Sequence, residues 1–119
     1  MVVDDHPATL AALVALLEAE FPACGLLAVE GAEQALNLCA GAVPSVVIMD
    51  IALRGISGIE ATRRIKATWP ETRVVMHSSY DMRVYRDGAA AAGASAFVRK
   101  GKFISELVPV VAGLLAAAR

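Results

Sequence analysis

Short β-branched runs alternate along this chain with longer stretches rich in alanine and leucine, and no other feature of the sequence narrows the possible folds as far. Strands are expected over residues 1–4, 25–29, 45–49, 73–77 and 96–98. Several of these runs are continuously apolar instead of alternating, as strands are when helices cover both faces of a parallel sheet. Helices are expected over residues 7–20, 32–41, 58–68, 82–92 and 105–118. Pro7 suits a first helical turn, Trp69-Pro70 ends the third helix, and Gly93 suits a helix C-terminus. Pro109 belongs in the first turn of the fifth helix, because deeper inside it would remove a hydrogen bond. The alanine runs at 89–92 and 116–118 have a plain reading as good helix formers. A layered α/β sandwich follows.

Composition narrows the function classes. With 119 residues the chain is expected to form one globular domain over 1–119, too short for two cores. A formal net charge of −1 gives no domain-wide basic surface for nucleic-acid phosphates, so direct DNA binding is not expected. Cys24 and Cys39 make no C-x-x-C pair and read as reduced, buried thiols, which favours the cytoplasm. Hydrophobic residues make up 57%, but charges break every apolar run well short of the roughly 20 residues of a spanning helix. Neither a membrane segment nor a targeting peptide is expected.

In an open parallel sheet, ligands bind beyond the carboxyl ends of the strands, near the point where strand order reverses. The residues expected there are Asp4 and Asp5 after the first strand, Asp50 after the third, Ser78 after the fourth and Lys100 after the fifth. Three carboxylates converging on one crevice repel one another, and a cation is the simplest remedy. Hard oxygen ligands suit Mg²⁺, which takes one or two carboxylates and fills its shell with water and phosphate oxygens. Asp5 is the expected direct ligand, with Asp4 acting through water. A carboxylate such as Asp50 can attack phosphorus to give an acyl phosphate when the phosphoryl charge is stabilised. Lys100 brings an ammonium to that task and Ser78 a hydroxyl donor.

Each residue also has a bland reading. Asp50 alone could be a turn or cap residue, Lys100 a solvated charge, Ser78 a turn hydroxyl; joint placement favours the functional reading. Asp4 could instead cap the first helix. His6, at the entry to that helix, and His77, inside the fourth strand, read as structural, with no partners at metal-ligand spacing. Phe97 is first a core or edge aromatic, Asp81 a solvated charge or cap, and Arg54 a mobile surface arginine.

The runs Val2-Val3-Asp4-Asp5-His6-Pro7, Val46-Val47-Ile48-Met49-Asp50 and Gly58-Ile59-Glu60-Ala61, then Ser78, and Gly93-Ala94-Ser95-Ala96-Phe97-Val98-Arg99-Lys100, span nearly the whole chain. Together they resemble response-regulator receiver domains of two-component signalling, particularly the NarL/FixJ-type group. The resemblance implies a three-layer flavodoxin-like (βα)5 sandwich whose parallel five-stranded sheet has the order 2-1-3-4-5. It also implies a sensor histidine kinase as phosphodonor to Asp50, Phe97 as a switch residue coupled to Ser78, and Mg²⁺ held by Asp5, Asp50 and the Ala52 backbone carbonyl. A DNA-binding output domain beyond Arg119 is a further implication.

The sequence departs from the family pattern in places. Arg54 and Gly101 stand where proline is usual, so both loops are expected to be looser than average. The first strand has only Met1 to Val3 ahead of Asp4, as in a chain trimmed at its start. Tyr80 and the apolar Ala52 are expected to hinder water and prolong the acyl phosphate. The first and fifth helices carry little charge, and Leu10, Val14, Val110 and Leu114 are expected to form an exposed apolar patch for a homodimer or an output domain.

Competing readings are an aspartate-based phosphatase, a flavin or nucleotide binder, and a receiver-like docking or dimerisation module not controlled by phosphorylation. Ala52 stands where the phosphatase would carry a second acid, and Asp4-Asp5 would repel phosphate in a nucleotide cradle. A signalling switch, not an enzyme acting on outside substrates, is expected.

Overall fold

The computed structural model describes residues 1–80 and 83–117. Asp81, Met82 and Ala118, placed above at a loop and at helix ends, lie outside the described residues. The strands are β1 (Val2–Val3), β2 (Ala28–Val29), β3 (Val46–Asp50), β4 (Arg73–Ser78) and β5 (Ala96–Arg99). All pairings are parallel and the order is β2-β1-β3-β4-β5, as the resemblance implies. The helices are α1 (Pro7–Glu20), α2 (Ala32–Gly41), α3 (Gly58–Thr68), α4 (Arg83–Ala92) and α5 (Val108–Ala117).

Side chains alternate across the sheet and build two apolar layers. Val3, Val47, Met49, Val74 and Met76 pack with Ala35, Cys39, Ala61, Ile65 and Ala89 of α2, α3 and α4. Val2, Val46, Ile48, Val75 and Val98 pack with Leu13 and Leu17 of α1 and Val111 of α5. No helix among the described residues is long and apolar enough to cross a membrane.

Punctuation follows local chemistry. Ser57 Oγ accepts from the Glu60 N–H to cap α3, while Gly93, at φ +99°, ends α4 with Ala94 N–H reaching back to the Ala89 carbonyl. Gly58 is required by contact: a Cβ there would stand 1.9 Å from the Asp50 carbonyl oxygen, so only glycine lets α3 start against the end of β3.

Several sequence expectations need correction. β2 is shorter than residues 25–29 because β1 offers only Val2 and Val3 as bridge partners. The fifth helix begins earlier and less regularly than residue 105: a 3₁₀ turn at Lys100–Lys102 leads into a π-helical turn at Phe103–Leu107 before α5. That wide turn, closed by Val108 N–H on the Phe103 carbonyl, precedes Pro109 and relieves the clash a proline ring makes with the carbonyl four residues back. Cys24 is exposed, not buried. Leu10, Val14, Val110 and Leu114 are half-buried, with Leu10, Val110 and Leu114 packed against the α1/α5 layer, so the apolar patch is smaller than expected. Besides Pro7, Pro109 and the charged Glu18 and Glu20, what α1 and α5 expose is small: Ala8, Ala11, Ala12, Ala15 and Ala19, and Ala112, Gly113, Ala116 and Ala117.

Candidate functional site

Register builds the site. Val3 pairs with Met49, so Asp4 emerges from β1 level with Asp50 at the end of β3, and Asp50 pairs in turn with His77 of β4. Asp4, Asp50 and His77 are wholly buried, all at the carboxyl end of the sheet. Lys100 follows β5, and its long side chain reaches back across β4, two strand spacings of roughly 4.8 Å each, toward β3.

The Lys100 ammonium donates to Asp50 Oδ2 at 3.0 Å and lies 3.2 Å from Asp4 Oδ2. Asp50 Oδ1 accepts the Ala52 N–H at 3.1 Å, which fixes the carboxylate from its other side. Asp4 Oδ1 accepts the His6 N–H at 2.8 Å, so this carboxylate braces the entry to α1 without capping it; the cap position is His6. Asp4 Oδ2 is buried with no hydrogen bond of normal geometry, the ion pair with Lys100 notwithstanding. Asp5 lies nearer the surface, where its Oδ2 accepts the Arg54 N–H at 3.1 Å. The Arg54 side chain is 94% exposed, as a surface arginine is expected to be. The loop after Asp50 is joined to Asp5 by this hydrogen bond, and Lys100 opens a 3₁₀ turn.

Ligand atoms of Asp4, Asp5, Asp50 and His6 lie within 4.8 Å of one another. Three clustered carboxylates, one with an orphaned buried oxygen, fit a hard divalent cation such as Mg²⁺. His6 corrects its sequence reading: its Nδ1 stands 3.0 Å from Asp4 Oδ1 and 3.2 Å from Asp5 Oδ1. The signal was the unbroken run Asp4-Asp5-His6-Pro7, in which Pro7 fixes the helix start and leaves His6 extended over the carboxylates.

His77 also has more to it than a core position. Burial pushes its pKa down to about 4; the nearby Lys100 ammonium acts the same way, and the Asp4 carboxylate, 3.7 Å from Nε2, opposes. Its ring meets Phe103 edge-on, with centroids 5.7 Å apart. The alternation of β4 places it on the α1/α5 face, where an apolar residue continues the pattern elsewhere.

Ser78 is buried, and its Oγ accepts the Tyr80 N–H at 3.0 Å. Ser79 and the exposed Tyr80 line the cleft over Asp50 together with Asp5, Ala52 and Lys100. Phe97 is half-buried beside the α2–α4 layer, with the Arg86 guanidinium 4.6 Å from its ring centroid. Asp4, Asp5, Asp50 and Lys100 therefore meet at the carboxyl end of the sheet, while Ser78 ends β4 with its Oγ on the Tyr80 N–H and Phe97 lies to the side.

Comparison with known proteins agrees with this fold. Residues 1–112 match the family described as response regulator receiver domain. The transcriptional regulatory protein MctR of Rhizobium johnstonii is 32% identical over 112 residues, which cover 93% of this chain and 52% of that protein. The response regulator GacA of Pseudomonas aeruginosa is 31% identical over 122 residues, covering 100% of this chain and 56% of that protein. The chain thus spans about half the length of the curated relatives it matches. Among solved structures, a LuxR-family two-component response regulator from Aurantimonas superposes with a TM-score of 0.89 at 33% identity, covering 100% of this chain and 85% of the other. This chain belongs to the response regulator receiver domain family.

Proposed function

We propose that residues 1–119 form one receiver domain in which Asp50 accepts a phosphoryl group from a sensor histidine kinase. The observation that carries this reading is the Asp50 carboxylate itself, wholly buried, held by Lys100 and Ala52, and facing the other acidic groups across the cleft. Asp5, Asp50 and the Ala52 carbonyl would hold Mg²⁺, with Asp4 acting through water. The ion neutralises charge on the phosphoryl oxygens when bound. An Asp50 oxygen forms the new bond to phosphorus, the bond from phosphorus to the donor breaks, and its electron pair leaves with the donor. Lys100 then pairs with the phosphoryl oxygens in place of the free carboxylate. Ser78 gives up its bond to the Tyr80 N–H and donates its hydroxyl to the phosphoryl group, and Phe97 follows into the space beside it.

This chemistry is confined to the domain's own aspartate. Ala52 offers no acid for a foreign leaving group, which favours a switch over an enzyme acting on outside substrates. MctR is named a transcriptional regulatory protein, and both it and GacA are about twice as long, which supports transcriptional output through a DNA-binding domain and a cytoplasmic setting. The small exposed residues of α1 and α5, next to the exposed Glu18 and Glu20, are the proposed homodimer face, and light scattering that gives a monomer at all concentrations would remove it. For the phosphoryl reading the test is incubation with a small phosphodonor and Mg²⁺. The wild type should gain one phosphoryl mass and Asp50→Asn none; no gain in the wild type, or equal gain in both, overturns the reading.

A further inference from the structure

The oxygen ligands of the proposed site do not account for His6. Its Nδ1 is within hydrogen-bond distance of Asp4 Oδ1 at 3.0 Å, 3.2 Å from Asp5 Oδ1, and 3.5 Å from both Asp50 Oδ2 and the Lys100 ammonium. Around a six-coordinate ion with bonds of about 2.1 Å, neighbouring ligand atoms are about 3.0 Å apart, so this nitrogen stands near ligand spacing from each carboxylate. The wholly buried Asp4 presents Oδ1 to this nitrogen, while its Oδ2, which lacks a hydrogen bond, faces the Lys100 ammonium at 3.2 Å. His6 is also held there by the chain: its N–H is fixed on Asp4 Oδ1, and Pro7 locks the next residue into the helix.

We infer that His6 is a nitrogen ligand of the divalent cation in this site and shifts its selectivity from Mg²⁺ toward borderline transition ions such as Co²⁺. Oxygen-only sites suit Mg²⁺, whereas an imidazole adds affinity for softer ions and almost none for Mg²⁺. The inference rests on the metal site of the proposed function and adds the ligand that decides which ion it prefers.

The probes are Co²⁺ and Mg²⁺ themselves, bound to the 119-residue chain. The imidazole is 58% exposed, so His6→Ala should fold, and a circular dichroism melt checks that; His6→Leu is the second variant. Calorimetric titration should show the preference for Co²⁺ over Mg²⁺ falling about tenfold or more in both variants, with Mg²⁺ affinity nearly unchanged. The proton NMR spectrum of the Co²⁺-loaded wild type should contain a hyperfine-shifted exchangeable imidazole resonance that both variants lose. A wild-type spectrum without that resonance, its survival in the variants, or equal loss of both ions' affinities overturns the role of His6. If Mg²⁺ binds and Asp50 is phosphorylated in those same samples, the proposed function stands while this inference falls. If neither ion binds the wild type, both fall.

Discussion

The two faces of the sheet share five strands and end differently. On the face covered by α2, α3 and α4, Val3, Val47, Met49, Ile51, Val74 and Met76 are apolar, and the buried hydroxyl of Ser78 follows Met76 at the end of β4. On the face covered by α1 and α5, Val2, Ile48 and Val75 are followed two residues on by Asp4, Asp50 and His77, each wholly buried. The first face is stabilised mainly by close packing, with a buried hydrogen bond from the Thr62 hydroxyl to Met76 Sδ. The second gives up apolar burial at its carboxyl end and offsets part of that with Lys100, whose ammonium faces both buried carboxylates. Close packing and the buried charges are thus separated by which way a strand residue points.

The largest expected effect is on the apolar face. Ile65 of α3 is wholly buried against it, and Ile65→Ala should lower unfolding free energy by about 4 kcal/mol. Denaturant melts at neutral and mildly acidic pH should show the same loss, because no titratable side chain of the site lies in that layer. A loss that changed with pH would break the separation of the faces.

The other face should carry the acid sensitivity. The ordinary histidine value is 6.5, and His77 sits at about 4 in the fold, so on acidification the unfolded chain takes the proton first. Stability is full above pH 6.5, falls as pH drops, and the loss is complete near pH 4, for a total of about 3 kcal/mol. Asp4, Lys100 and His6 also face this region and set where the midpoint lies. His77→Val continues the apolar pattern of β4, and urea melts between those pH values should show a flatter profile than the wild type. An equally steep profile would assign the acid sensitivity to other groups.

How much of this was legible in the sequence follows the same division. The apolar layers were readable because continuous runs such as Val46-Val47-Ile48-Met49 have one stable use in a covered parallel sheet, and α1, α2 and α3 match their expected bounds. The strand-end residues were readable because sheet order and register bring them together whatever their loops do. His6 and His77 were not, since their roles depend on side-chain direction: one folds back over its neighbours, and the other points inward among buried charges. Composition also misled at α1 and α5, where a lack of charge looked like an exposed patch although the large side chains turn inward and leave alanines outside. The wide turn before Pro109 was equally hidden, because a proline near a helix start leaves open how the preceding turn makes room.

The smallest expected effect lies at the cleft, where the polar end of the α1/α5 face meets water. Tyr80 is 59% exposed and lines that cleft with Ala52, so a phosphoryl group on Asp50 would share the cleft with a bulky ring and a methyl. Neither side chain orients an attacking water, and the ring occupies space through which one would approach. Tyr80→Glu replaces the ring with a carboxylate that accepts a hydrogen bond from water, which should shorten the acyl-phosphate lifetime. The gain should be about threefold to tenfold, or about 1 kcal/mol of barrier, well below that of a fully positioned general base. Mass spectrometry of the decaying phosphoprotein after removal of the donor reads this directly, and since the Tyr80 side chain is mostly exposed, the melt should stay unchanged. A lifetime equal to the wild type's, or longer, would mean that access for water is set deeper, by Asp50 and Lys100 themselves.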